Sequence, residues 1–254
     1  MRELQTVWDS AHFIVIGAAA ITCHMGLSWR GTADLDLSVA AGLDGYVRDL
    51  ERLGWRRERD APQRWIVPNG SLVDVLPGAP ALVQKGGFTW PDGGARMSLV
   101  GFRLAFEDAG SVEIAPGTTA RVASLRSVVV LKMAAYFDRP RERDTDLGDI
   151  AHILSGFLPP DAEERWSDEV IGRGMDFDDV GPFVLGQQLG RLVDQPERAL
   201  VVQFMDTIED PADRATTLPR MAQRAPAGWK DPERLRQRWA AFRHGIESSS
   251  CSAT

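Results

Sequence analysis

Asp34 and Asp36 stand two residues apart in "TADLDLSVA", a stretch in which polar and apolar residues alternate. Alternation of this kind reads as a β-strand, and residues two apart in a strand point to the same side. Two carboxylates side by side repel, and each strips water from the other, so the face that carries them calls for a cationic partner. A divalent cation suits that place. Mg²⁺ takes hard oxygen ligands, commonly one or two carboxylates together with substrate phosphates. With 36 Asp and Glu among 254 residues, roughly five such pairs arise by chance, so the spacing carries weight only in company.

The company lies on both sides. Upstream, "HFIVIGAAA" reads as a buried strand over Phe13 to Ile16 that breaks at Gly17 into a helix closed by Gly26. A strand-to-helix turn leaves free N–H groups and the positive end of a helix dipole, which suits a phosphate. Downstream, Asp74 in "SLVDVLP" is the polar residue between Val73 and Val75. Three strand carboxylates and a phosphate-facing turn are the makings of a two-metal site, its ions roughly 3.5–4 Å apart, one activating an attacking hydroxyl and the other holding a triphosphate.

Two helices add charge to this picture. A helix is predicted from Ser124, as N-cap, to Asp138, ended by Pro140. On it Lys132 shares a stripe with Leu125, Val128, Val129 and Tyr136, and a lysine on an apolar stripe is costly unless paired. In the next predicted helix, "DTDLGDIAHILSG", Asp149 shares a stripe with Asp146, Ile150 and Ile153. An inward lysine and an inward aspartate on consecutive helices suggest a polar site at their junction. Arg139, Arg141 and Arg143 between them suit phosphates.

Taken in order, these residues resemble the polymerase-beta nucleotidyltransferase superfamily, and most closely its AbiEii-like toxins of abortive-infection and toxin–antitoxin systems. The motifs are "VIGAAA", "RGTADLD" (Arg30 to Asp36), "VDVL" with Asp74, "LKMAA" with Lys132, Arg139 and "DLGDI" with Asp149, over about residues 10–157. The resemblance implies an α/β (α+β) core with a mixed sheet and a helical C-terminal region. It implies transfer of a nucleoside monophosphate from an NTP to RNA, notably tRNA, with pyrophosphate released. Asp34, Asp36 and Asp74 would hold two Mg²⁺ or Mn²⁺ ions, and Asp74 would also activate the acceptor hydroxyl. Lys132 would neutralise the triphosphate, and Asp149 would orient Lys132 or the acceptor. Gly17, Ala18, Arg30, Thr32, Lys132 and Arg139 would bind the nucleotide, and a cognate antitoxin would be a partner. Relatives acting on antibiotics share the core, so a small hydroxyl compound is the alternative acceptor. The family turn carries Gly-Gly or Gly-Ser where this chain has Gly17-Ala18. A further alternative is therefore a catalytically degenerate protein that binds a nucleotide or a partner.

Each residue also has a plainer reading. Asp34 and Asp36 could line a solvated strand edge, and Asp74 could be a surface acid beside a turn. Lys132 could snorkel at a helix rim, and Asp149 could be a helix-surface acid. The three arginines could balance Asp138, Glu142, Asp144 and Asp146. His12, His24, His152 and His244 lack metal spacing, and Ser28 lacks the spacing of a nucleophile elbow. Trp229, Trp239 and Phe242 among Arg234, Arg236, Arg238 and Arg243 could stack RNA bases, but read better as a packed helix with a basic outer face.

The remaining expectations concern organisation. Cys23 and Cys251, far apart, form no disulfide framework, and the net charge of −7 argues against general coating of nucleic acid. The apolar run from Ala11 to Leu27 is too short and too polar to span a membrane, and Glu3 and Asp9 spoil a signal-peptide leader. A cytoplasmic protein is expected, with a nucleotidyltransferase core over 1–158, a helical region over 159–247 after Pro159-Pro160, and a disordered tail over 248–254. An amphipathic helix is predicted over "GLDGYVRDLERLG", and strands on either side of a turn at Asn69-Gly70. Pro80 to Gly94 reads as a loop, and "GFRLAFED" with "SVEIA" as a hairpin turning at Gly110.

Overall fold

The computed structural model describes residues 1, 3–9, 11–26, 29–32, 34–91 and 94–250, without the side chains of 213, 214 and 250. Ser28, Ala33 and Cys251 lie outside the described residues. The chain forms two compact units, Met1–Ala134 and Ala135–Thr254.

The first unit is built on a mixed sheet. Its elements are β1 (Phe13–Val15), α1 (Gly17–Met25), β2 (Asp34–Val39), α2 (Leu43–Arg52), β3 (Arg56–Arg57), β4 (Arg64–Ile66) and β5 (Leu72–Pro77). There follow α3 (Pro80–Gln84), β6 (Gly87–Thr89), β7 (Arg96–Ser98), α4 (Phe102–Glu107), β8 (Gly110–Ala115), β9 (Thr118–Val122) and α5 (Leu125–Asp138), which runs on into the second unit. Seven strands form one sheet in the order β3-β4-β5-β2-β1-β9-β8, and β6 and β7 make a small separate ribbon. β1 is buried throughout, as its unbroken apolar run requires. β2 runs antiparallel to β1 and parallel to β5, and β4 folds back antiparallel on β5 across the Asn69-Gly70 turn.

The two faces of β2, β4 and β5 differ. Leu37, Val39, Trp65, Val73 and Val75 are buried, and the Trp65 ring meets Tyr46 of α2 edge-on at 6.3 Å. Each buried aliphatic such as Leu50 or Val75 contributes about 2 kcal/mol. Alternation then sets Asp34, Asp36, Arg64 and Asp74 on the other face, where all four are only partly covered.

Two expectations about this unit need correction. Pro80 to Gly94 is not all loop: it holds α3, which starts with Pro80 at its first position, and β6. "GFRLAFED" is helix α4, not a strand. Its F-x-L-x-F alternation imitates a strand, but the buried Phe102, Leu104 and Ala105 form a helical contact face. The hairpin is instead β8 with β9, and β9 completes the sheet beside β1. The α2 stripe is centred on Tyr46 and Leu50, with Leu43 and Val47 half-buried.

The second unit is helical: α6 (Asp144–Gly156), α7 (Asp168–Arg173), α8 (Phe177–Leu192), α9 (Gln195–Glu209), α10 (Pro211–Arg224) and α11 (Pro232–Ser250). Pro159-Pro160 lies inside this unit, and α11 takes in 248–250, which the sequence assigned to a disordered tail. Trp229, Trp239 and Phe242 are buried, which favours the packed-helix reading over base stacking. α8 and α11 approach closely at glycines: a β-carbon on Gly186 or Gly245 would run into the backbone of the opposite helix. Among the described residues no helix is long and apolar enough to cross a membrane.

Candidate active site

Strand register assembles the site. Asp36 pairs with Asp74 across the parallel β2/β5 ladder, and Asp74 pairs with Arg64 across the antiparallel β4/β5 ladder. Paired residues share a face, so Arg64 reaches the carboxylates directly. Its Nε donates to Asp74 Oδ1 at 2.8 Å, and its Nη2 donates to Asp74 Oδ2 at 3.1 Å and to Asp34 Oδ2 at 2.7 Å. The hydrogen bond to Asp74 pushes the arginine's pKa up, against the effect of burial. Arg64 Nε also lies 4.0 Å from Glu58 Oε2. The Thr32 hydroxyl donates to Asp34 Oδ1 at 3.0 Å, so Asp34 is held from two sides.

Asp36 faces the strand-to-helix turn. The Ile16 N–H donates to the Asp36 carbonyl at 3.0 Å, which brings the start of α1 beside β2. Gly17 opens α1 with φ of +65°, and a β-carbon there would overlap the Asp36 carboxylate. Both the backbone angle and the close approach demand glycine. Ala18 is 2% exposed, so its methyl is packed into the protein. Arg30 is half-buried, with its guanidinium 5.8 Å from the centre of the Trp29 ring.

The structure thus gathers Gly17, Thr32, Asp34, Asp36 and Asp74, and adds Arg64, which sequence reasoning missed. The turn at Asn69-Gly70 marked the hairpin, but not the register that sets Arg64 opposite Asp74. Lys132 lies half-buried on α5 beside the buried Val128, Val129 and Met133. The first turn of α5 is fixed by Asp108, which accepts from both Arg126 Nε at 2.9 Å and Arg126 Nη2 at 2.8 Å and also bonds the Ser124 hydroxyl. The Ser124 hydroxyl in turn accepts from the Ser127 N–H, as an N-cap should.

The other predicted residues belong to the second unit. Asp149 is 0% exposed on α6, so it is no surface acid. Arg139 lies 3.9 Å from Glu142, and Arg143 lies 3.5 Å from the buried Asp146. Three histidines bond residues distant along the chain: His24 bonds the Ala123 carbonyl, His152 the Arg224 carbonyl, and His244 Arg173. A cleft of about 390 Å³, lined by Leu43, Asp44, Val47, Arg48, Arg57 and Pro91, contains none of the predicted residues.

A scan against protein families matches residues 1–249 to the nucleotidyl transferase AbiEii toxin family, of a type IV toxin–antitoxin system. The chain belongs to the AbiEii family. It is a nucleotidyltransferase, with the mixed sheet and helical C-terminal region that the AbiEii resemblance implied. No curated protein matches it.

For an AbiEii nucleotidyltransferase the fit of a metal is decided by donor chemistry. Asp34 and Asp36 present hard oxygens on one face, which suits Mg²⁺ held together with substrate phosphates. Among the described residues no group of three or more Asp, Glu, His or Cys side chains is arranged to hold one ion. Arg64 engages both oxygens of Asp74 and one of Asp34.

Proposed function

We propose that this AbiEii protein transfers a nucleoside monophosphate from an NTP to an RNA acceptor, with tRNA the first candidate, in a Mg²⁺-dependent reaction. We further propose that it acts as the toxin partner of a cognate antitoxin. The observation that carries the reading is the set of three aspartates on one sheet face, with Asp36 against the glycine turn that opens α1. Asp34 and Asp36 would hold the metal, and Asp74, in register with Asp36, would join them once its bonds to Arg64 are given up. Bound metal supplies charge neutralisation to the triphosphate and lowers the pKa of the acceptor hydroxyl. The acceptor oxygen forms a bond to the α-phosphorus while the bond from that phosphorus to the bridging oxygen breaks, and pyrophosphate leaves.

The chain's own groups do the positioning. Thr32 fixes one oxygen of Asp34 through its hydroxyl. Gly17 admits Asp36 to the start of α1, where free N–H groups suit phosphate oxygens. Asp74 takes the hydroxyl proton, and Lys132 balances triphosphate charge. The test is incubation of the full chain with labelled NTPs, Mg²⁺ and total tRNA. Label transfer by wild type and its loss in Asp36→Ala are expected. No transfer by wild type, or equal transfer by the variant, overturns the reading. Transfer to an aminoglycoside but not to tRNA would replace the acceptor.

A further inference from the structure

We propose that Arg64 is a built-in counter-ion that competes with the divalent metal for Asp34 and Asp74. The proposal rests on the metal-dependent reading above. Three acids on one sheet face repel each other, and the metal-free site needs a cation to hold its shape. Arg64 supplies it through three charge-assisted hydrogen bonds of 2.7–3.1 Å, with Nη2 shared between the two carboxylates. A planar fork of this kind matches carboxylates far better than a point charge does. Both oxygens of Asp74 are engaged by it, so Asp74 cannot offer a metal the same lone pairs while the fork stays in place.

Two features suit Arg64 for displacement rather than permanent locking. Its side chain is 29% exposed, and beyond the two aspartates its ion-pair neighbour is Glu58 at the long distance of 4.0 Å. Water can therefore receive the guanidinium when it leaves. Thr32 bonds Asp34 Oδ1, the oxygen that Arg64 does not touch, so release of Arg64 breaks no bond between Thr32 and Asp34. Arginine and metal then exclude one another at Asp74, and each weakens the other's hold by the same factor.

The test is Mn²⁺ titration of the full chain without nucleotide, by calorimetry, for wild type, Arg64→Met, Arg64→Lys and Asp36→Asn, with melting temperatures recorded with and without Mn²⁺. Arg64→Met should bind Mn²⁺ about ten- to a hundredfold tighter than wild type, since the ion no longer breaks charge-assisted bonds. Its metal-free form should melt lower and gain more from Mn²⁺ than wild type does. Arg64→Lys keeps the charge and loses the fork, so it should fall between the two. Should Arg64→Met fail to fold, Arg64→Lys decides alone: tighter binding than wild type supports the proposal. Equal or weaker Mn²⁺ binding in the Arg64 variants, with wild type still binding the ion and transferring label, overturns the counter-ion and leaves the transferase reading intact. If wild type neither binds Mn²⁺ nor transfers label, that reading fails and the counter-ion falls with it.

Discussion

Each unit contains an arginine that joins two carboxylates, and the two clusters differ in exposure. In the second unit Arg238 of α11 donates to Asp179 at 2.6 Å and to Asp178 at 3.0 Å, both in the first turn of α8. Arg238 is almost fully buried, and its guanidinium lies 5.6 Å from the centre of the Trp229 ring. Acids at a helix N-terminus are already favoured by the dipole, so the arginine completes the balance and ties two helices together. In the first unit Arg64 meets Asp34 and Asp74 on strands, where no comparable dipole lies behind them, and a third acid, Asp36, shares the face. The three strand acids are all only partly covered, so this cluster is open to solvent where Arg238 is buried. The same side-chain chemistry is a buried tie between helices in one place and a solvent-facing link between strands in the other.

Four changes would break or sharpen that contrast. The largest effect is expected at Asp36: Asp36→Asn should lower nucleotidyl transfer by roughly a thousandfold, the scale of lost metal charge stabilisation, while barely moving the melting temperature. A fall in stability without loss of transfer would make Asp36 a structural acid. Next comes Gly245→Ala, whose β-carbon would meet the Phe183 carbonyl oxygen and the Gln187 nitrogen. Two helix backbones cannot yield as a side chain can, so denaturant unfolding should show a loss of about 3 kcal/mol. Asp179→Ala should cost about 2 kcal/mol by leaving the buried Arg238 short of a charged partner, with the rate of transfer in the folded fraction unchanged. An altered rate would mean that the second cluster is more than a tie.

The smallest effect concerns pH. Burial lowers the pKa of His152 below its ordinary 6.5, against opposing pushes from the Arg224 carbonyl and Asp149. The unfolded chain therefore holds this proton more readily than the folded one. The stability due to neutral His152 is complete above the ordinary value and drains away as pH falls below it. The melting temperature should drop as pH falls below the ordinary histidine value of 6.5, and His152→Gln should remove part of that drop. An identical profile in the variant would show that the ring does not titrate against the fold.

Much of the candidate site's placement was legible because strand alternation is short-range. The i, i+2 spacing of Asp34 and Asp36 and the lone polar Asp74 between valines fixed which face each side chain takes. The Asn69-Gly70 turn marked the hairpin. Arg64 escaped notice because its role depends on two ladders at once, one antiparallel to β5 and one parallel from β5 to β2. α4 was misread because Phe102, Leu104 and Phe106 imitate a strand while Ala105 completes a helical contact face.

The sequence by itself determined that Asp34, Asp36 and Asp74 stand on strands and that a glycine turn opens the first helix, because side-chain direction and backbone angle are properties of neighbouring residues. The mixed-sheet nucleotidyltransferase core was what the family resemblance implied. Tertiary structure alone decided that Arg64 joins Asp34 to Asp74, that Asp149 is fully buried, and that α8 and α11 meet at Gly186 and Gly245. Those outcomes depend on contacts between segments distant along the chain, and local pattern does not encode the register or the approach of such segments.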